Sequence, residues 1–206
     1  MATHPIAVSP PVTLAERPDF NVIGEIVQPG SRVLDLGCGE GELLAWLSTN
    51  KKVLARGVEI EASNVRKAIA RGVSAYQGDI DEGLADYPPG AFDYVILSQT
   101  LQETRAPLQV LKEMLRVGRR AIISFPNFGH WTVRAAMVFS GQAPKTDLFP
   151  YDWYDSPNIH FLSINDFEDL CRTKGFPIER RYFWSGSQKV DWLPNLRAQT
   201  AVFLVG

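Results

Sequence analysis

Apolar positions along this chain follow two rhythms. Short runs that are apolar at nearly every position alternate with segments apolar at every third or fourth residue. Arg32-Val33-Leu34-Asp35-Leu36, residues 52–59, Ser74–Gln77, Phe92–Leu97 and Arg120–Phe125 are of the first kind and predict strands buried on both faces. Between them, Leu43 to Leu47, Ala62 to Ala70 (stopped by Gly72) and the set Leu108, Leu111, Met114 and Leu115 have helical spacing. Upstream, Ile23, Ile26 and Val27 mark a short helix that Asp19 can cap and Pro29-Gly30 ends. Right-handed crossovers make a doubly wound, mostly parallel α/β sheet the economical arrangement for such an alternation.

Beyond the fifth strand the rhythm loosens. Residues 126–158 carry many aromatics, with Pro144, Pro150 and Pro157 among them, which is long for an ordinary connection. A helix over Thr132 to Ser140 is expected there. About 127–160 reads as an insertion that packs, covers a cleft as a lid, or meets a partner. Order returns at Ser163, which with Asp166 forms a capping-box pair for a helix carrying Phe167, Leu170 and Cys171 and ending at Lys174-Gly175. Ile178 to Trp184 and Thr200 to Val205 read as antiparallel strands closing one sheet edge. Residues 1–17, with Pro5, Pro10 and Pro11, read as a flexible N-terminal arm, leaving 18–206 as a single domain.

Composition changes this picture little. The 206 residues suit one core, and 45% hydrophobic with 21% charged residues is ordinary for a globular chain. A net charge of −2 gives no attraction to nucleic acid or an anionic membrane. No apolar run approaches the ~20 residues that span a bilayer. Two cysteines and no export signal point to a reducing cytoplasm, and the scattered histidines suggest no metal site.

The candidate chemistry begins at the end of the first strand. Gly37, Gly39 and Gly41 allow a tight turn into the next helix and close approach of a ligand to the backbone, and the helix amino terminus attracts a carboxylate or phosphate. Acidic residues sit at successive strand ends. Glu59, 24 residues after Asp35, can accept both hydroxyls of a ribose. Asp79 can accept from an adenine amino group, and Asp35 is placed for an amino-acid end. Ser98 ends the fourth strand. Singly, each has a plain explanation as a cap or solvated group; together they describe a nucleoside site. A dinucleotide fingerprint would need glycine where Glu42 stands, and a carboxylate in the first helical turn repels a pyrophosphate. A cationic sulfonium cofactor fits better.

These residues resemble the class I methyltransferases. Val33-Leu34-Asp35-Leu36-Gly37-Cys38-Gly39-Glu40-Gly41 is similar to their first motif, Gly57-Val58-Glu59-Ile60 to the second and Gly78-Asp79-Ile80 to the third, with Phe92 to Ile96 as the fourth strand. More narrowly, Ser98-Gln99-Thr100-Leu101-Gln102, Phe125-Pro126-Asn127-Phe128 and Pro157-Asn158-Ile159-His160-Phe161 resemble the MetW family of methionine-biosynthesis proteins, over about residues 17–190. The resemblance implies a seven-stranded sheet with an antiparallel C-terminal edge. It implies S-adenosylmethionine or S-adenosylhomocysteine as cofactor, held by Asp35, Gly37, Cys38, Gly39, Gly41, Glu59, Ile60, Asp79, Ile80 and Ser98. It also implies a role beside homoserine O-acyltransferase. The alternative is an active methyltransferase of a small metabolite. For that, His160 and His130 are the candidate bases, although tying a loop to backbone is the plainer role for each. Cys38 reads as a small side chain filling the turn.

Overall fold

Pro18 occupies the first helical position of the described chain, and the elements that follow keep close to the rhythm of the sequence. The computed structural model describes residues 17–206 apart from the side chain of Pro18, so residues 1–16 of the expected arm lie outside the described residues. In order the elements are α1 (Pro18–Ile26), β1 (Arg32–Leu36), α2 (Glu42–Lys51), β2 (Leu54–Glu59), α3 (Ala62–Ala70), β3 (Ser74–Gln77) and β4 (Tyr94–Ser98). Then come α4 (Pro107–Val117), β5 (Ala121–Pro126), α5 (Trp131–Ser140), α6 (Ile164–Lys174), β6 (Ile178–Ser185), β7 (Gln188–Lys189), α7 (Pro194–Arg197) and β8 (Thr200–Val205). Single 3₁₀ turns follow β3 (Ile80–Glu82) and β4 (Leu101–Glu103).

The strands form one sheet in the order β3-β2-β1-β4-β5-β8-β6-β7. The first five pair in parallel, while β8 runs antiparallel to both β5 and β6 between them. The α/β class and the antiparallel C-terminal part are as expected. The strand number is eight rather than the expected seven. The added strand, β7, pairs only Gln188 and Lys189 with the end of β6 through a turn at Gly186, which has φ 54°. Two residues are too few to leave a period-two signature.

Alternation along each strand sends side chains to opposite faces. Leu34, Leu36, Val95, Leu97, Ile123, Phe125 and Phe203 join α4 and α6 in one core. Val33, Tyr94, Ile96, Ile122 and Val202 join α1 and α2 in the other. By that register Asp35 lies on the same face as Val33 and α1. The capping box at Ser163 and Asp166 is present, with Gly175 left-handed at the helix end. Asp19 does not cap α1. Pro18 takes the first turn, no side chain caps the helix, and the Asp19 carboxylate turns inward to pair with Arg17 at 2.8 Å. Among the described residues no helix is long and apolar enough to cross a membrane.

Asn127, fully buried just beyond the carboxyl end of β5, joins three segments. Its amide donates to the carbonyls of Asn195 (3.0 Å) and Ala198 (2.8 Å). Its side-chain oxygen accepts from the backbone of Gly129 (3.0 Å) and Ile164 (3.3 Å). The Phe-Pro-Asn-Phe motif is thereby structural.

Candidate adenosyl site

The loop after β1 folds over the end of β2. Gly37 and Cys38 both donate to the Val58 carbonyl, at 2.9 and 3.0 Å. Gly37 (φ 72°) and Gly41 (φ 77°) are required there. A Cβ on Gly37 would lie 2.8 Å from Thr100 Oγ1, and one on Gly41 2.8 Å from the Ala68 Cβ. Cys38 packs inward with a thiol pushed up to about 12, by burial first and then by the charges of Asp35 and Glu59. It stays protonated and fills space, as its small side chain suggests.

Glu59 is buried and pinned at both oxygens. Oε2 accepts from the Gly39 N–H at 2.9 Å and Oε1 from the Glu61 N–H at 2.9 Å. Each oxygen keeps accepting capacity beyond the bond it already makes. Beside it opens a cavity of about 380 Å³, within the range of small-molecule sites. Glu59, Ile60 and Glu61 line it from the end of β2, and Asp79, Ile80 and Asp81 from the end of β3. Gly37, Thr100 and Glu103 close the third side. Of the residues picked out from the sequence, Gly37, Glu59, Ile60, Asp79 and Ile80 thus share one cavity wall. A wider depression of about 650 Å³, bordered by Arg32, Leu54 and Tyr87, lies by the amino ends of β1 and β2. Ligands of open α/β sheets bind at the carboxyl ends, which favours the smaller cavity.

The remaining candidates, Asp35, Cys38, Gly39, Gly41 and Ser98, are not among the residues that line it. Gly39 holds Glu59 through its backbone, and Gly41 is the left-handed residue before α2. Asp79 accepts from the Asp81 N–H at 2.9 Å, capping the 3₁₀ turn, and meets Arg105 at 3.4 Å. Ser98 turns to α1, where its hydroxyl donates to Asp19 at 2.7 Å. His160 does not line the cavity. Its side chain is exposed, and its backbone N–H donates to the Gln102 carbonyl at 2.9 Å. His130 is buried and caps α5 through Thr132, and burial holds its pKa below the ordinary value.

Asp35 lies buried beneath the loop. Its Oδ1 has no hydrogen-bond partner, and burial pushes the carboxyl up to about 8, against the pull of Arg17 and with the push of Asp19 and Glu59. Alongside, Asp19 accepts from Arg17, from Ser98 and from Ser124 (3.3 Å). Burial opposes ionisation of Asp19, but the bonds and charge of Arg17, with Ser98, hold its carboxyl below the usual range.

Several residues were not picked out from the sequence as site candidates: Glu61, Asp81, Thr100 and Glu103 on the cavity wall, and Arg17 and Asp19 beside Asp35. Asp81 accepts the backbone N–H groups of Arg105 (2.9 Å) and Ala106 (3.1 Å), fixing the start of α4 against the β3 loop. Its acidity beside Asp79 was the one visible signal. Glu42 has a partner in the fold. Arg71 pairs with it at 3.2 Å and with Glu40 at 2.9 Å, so its charge is largely met. Glu59, Glu61, Asp79, Asp81 and Glu103 stand together on the cavity wall, an acidic lining that disfavours an anion.

An acidic wall with an orphaned carboxylate oxygen behind it fits a cation carrying many hydrogen-bond donors. The strand order, with one antiparallel strand between β5 and β6 and a glycine loop at the sheet's switch point, defines the class I methyltransferase fold. A SAM-dependent methyltransferase from Mesorhizobium loti superposes with TM-score 0.68 at 18% identity, over 93% of this chain and 97% of that one. The [4+2]-cyclase SpnF superposes with TM-score 0.65 at 17% identity, over 90% of this chain and 78% of that one. Such identities carry the fold alone. The family described as methionine biosynthesis protein MetW matches residues 17–205, and the chain belongs to it. A bifunctional methionine biosynthesis protein MetXA/MetW from Rhodopirellula baltica is 40% identical, over 97% of this chain and 34% of that protein. The chain thus spans about a third of that relative's length.

Proposed function

We propose that this chain binds S-adenosylmethionine or S-adenosylhomocysteine in the cavity at the ends of β2 and β3 and acts with homoserine O-acyltransferase in methionine biosynthesis. The observation that carries the first part is the doubly pinned Glu59 on an acidic wall. Its oxygens are held rigid and can accept both ribose hydroxyls, so little ordering is left for binding to supply. In this reading Asp79 and Asp81 take the base side of the cavity, and the buried, unpartnered Oδ1 of Asp35 is the acceptor for an amino-acid ammonium. Bound there, a sulfonium supplies an electrophilic methyl group.

The partner reading is supported by the Rhodopirellula baltica relative, which joins a MetXA part and a MetW part in one protein. Transfer of the methyl group to a small metabolite is the second reading, supported by the shared fold. Against it, His130 is engaged in capping α5 and His160 lies outside the cavity.

Titration calorimetry with S-adenosylhomocysteine tests the site. Glu59→Ala is expected to weaken binding about ten- to a hundred-fold, roughly 1.5–3 kcal/mol for lost bonds to a charged acceptor. Unchanged affinity would remove Glu59 from the site. For the partner, the acyltransferase rate is measured alone and mixed with this chain, with and without cofactor. A rate indifferent to the chain would leave the methyltransferase reading, which a screen for cofactor-dependent methylation of metabolites then tests.

A further inference from the structure

We infer that the aromatic face built by α5 and residues 151–161 is the docking surface for the acyltransferase, an inference that rests on the partner reading above. Among the described residues, α5 is the least covered of the longer helices. Of its ten residues only Val133 is fully buried. Val138 is 77% exposed and Phe139 89%, with Trp131 and Met137 about half exposed. Next to it in sequence, Trp153 is 79% exposed, and Tyr154, Ile159 and Phe161 are more than half exposed. Scattered apolar residues on a surface need no explanation, but aromatics gathered on one helix and the segment after it do.

The face is also built rather than loose. Phe128 packs against Phe149 (5.3 Å between ring centroids) and Phe161 (4.7 Å), which anchors both ends of the segment. Trp153 and Tyr154 meet edge to face at 5.6 Å. Lys145 and Asp152 pair at 2.9 Å. Arg134 donates to the Gly129 carbonyl at 2.6 Å, turning its charge back toward the base of the helix. The result is rich in exposed Trp, Tyr, Phe and Met, types enriched at protein interfaces, with Asp155 as an exposed charge among them. Rigid aromatic anchors are also the residues that carry most binding energy.

The choice of occupant follows from the relative that joins a MetXA part and a MetW part in one protein, this chain matching only 34% of it. Fusion supplies proximity through covalent effective concentration. Between separate chains the same proximity has to come from a face of this kind, and in a fused protein the face fixes orientation. The surface is distinct from the adenosyl cavity, since none of its exposed aromatics lines that cavity.

The experiment measures the dissociation constant between this chain and the homoserine O-acyltransferase of the same organism. The wild type is compared with the double variant Phe139→Ser/Trp153→Ser, with Val138→Lys, and with Ile69→Ser as an exposed apolar control on α3. Calorimetric binding of S-adenosylhomocysteine reports that each variant is folded. The double variant and Val138→Lys are expected to bind the acyltransferase at least tenfold more weakly, with Ile69→Ser and all cofactor affinities unchanged. Undiminished acyltransferase binding by both face variants overturns the docking surface while leaving the partner reading intact. A change in self-association alone does the same and assigns the face to a second copy of this chain. No complex with the wild type sinks the partner reading itself.

Discussion

Asp35 and Asp19 stand on the same face of the sheet, yet they titrate in opposite directions. Arg17 and Ser98 hold Asp19 ionised, while Asp35 keeps an oxygen without a partner and is pushed up to about 8 by burial. The consequences for stability have opposite signs. The folded Asp35 retains its proton above the unfolded value near 4, so between about pH 4 and pH 8 its contribution falls as pH rises. Asp19, held below its ordinary value, stabilises the fold above that value, and its contribution is lost as pH falls through the folded pKa. A cofactor ammonium donating to Asp35 would favour the carboxylate, so cofactor binding near pH 7 should release a proton. Calorimetry in buffers of different ionisation enthalpy measures this release, which should vanish in Asp35→Asn. Equal proton release by both proteins would place the ammonium elsewhere. Urea unfolding of Asp35→Asn should likewise lose the decline in stability between pH 5 and 8, a difference on the order of a few kcal/mol.

Among the elements, the 3₁₀ turn Leu101–Glu103 joins two surfaces that are far apart in sequence. Thr100 and Glu103 line the adenosyl cavity. The Gln102 carbonyl between them accepts the N–H groups of both Ile159 and His160, each at 2.9 Å. Just before the turn, Gln99 has φ 56°, a strained value for a residue with a side chain. An occupant of the cavity that stiffens this turn also stiffens the edge of the aromatic face. Hydrogen exchange at the amides of Ile159 and His160 is therefore expected to slow severalfold when S-adenosylhomocysteine is added. Exchange unchanged there but slowed at Gly39 and Glu61 would show that the turn does not couple the two. The sequence blocks at 98–102 and 157–161 are thus two sides of one set of hydrogen bonds.

For the whole molecule, β8 is what closes the fold. It is the central strand of the C-terminal half, pairing on one side with β5 and on the other with β6. Phe203, fully buried, stacks on Phe125 (5.8 Å) and meets Phe167 (4.7 Å) and Phe183 (5.9 Å), so one side chain binds β5, α6 and β6 together. Phe203→Ala should cost about 3–5 kcal/mol in denaturant unfolding, the range for a large cavity in a closed core. A loss below about 1 kcal/mol would mean the neighbouring rings collapse into the space.

The glycine loop, the strand and helix rhythm and the capping box at Ser163 were legible because each is local. Burial on one face of a strand or helix imposes a period of 2 or 3.6, and a turn with positive φ selects glycine. The acidic residues at the ends of β2 and β3 were legible for the same reason, since a strand end is a local feature. What only the tertiary structure decided is which of those groups meet. Ser124 and Asp19 are 105 residues apart and bond at 3.3 Å, while Ser98, sought in the cavity, turned to α1 instead. Such pairings depend on strand order and on which face each side chain takes. By itself the sequence determined a methyltransferase-like sheet and a glycine loop with acidic residues at the neighbouring strand ends. Folding added the orphaned oxygen of Asp35, the gathering of five carboxylates on one cavity wall, and an aromatic face tied to that wall. Contacts between distant segments are set by packing of the whole chain and leave no period along it.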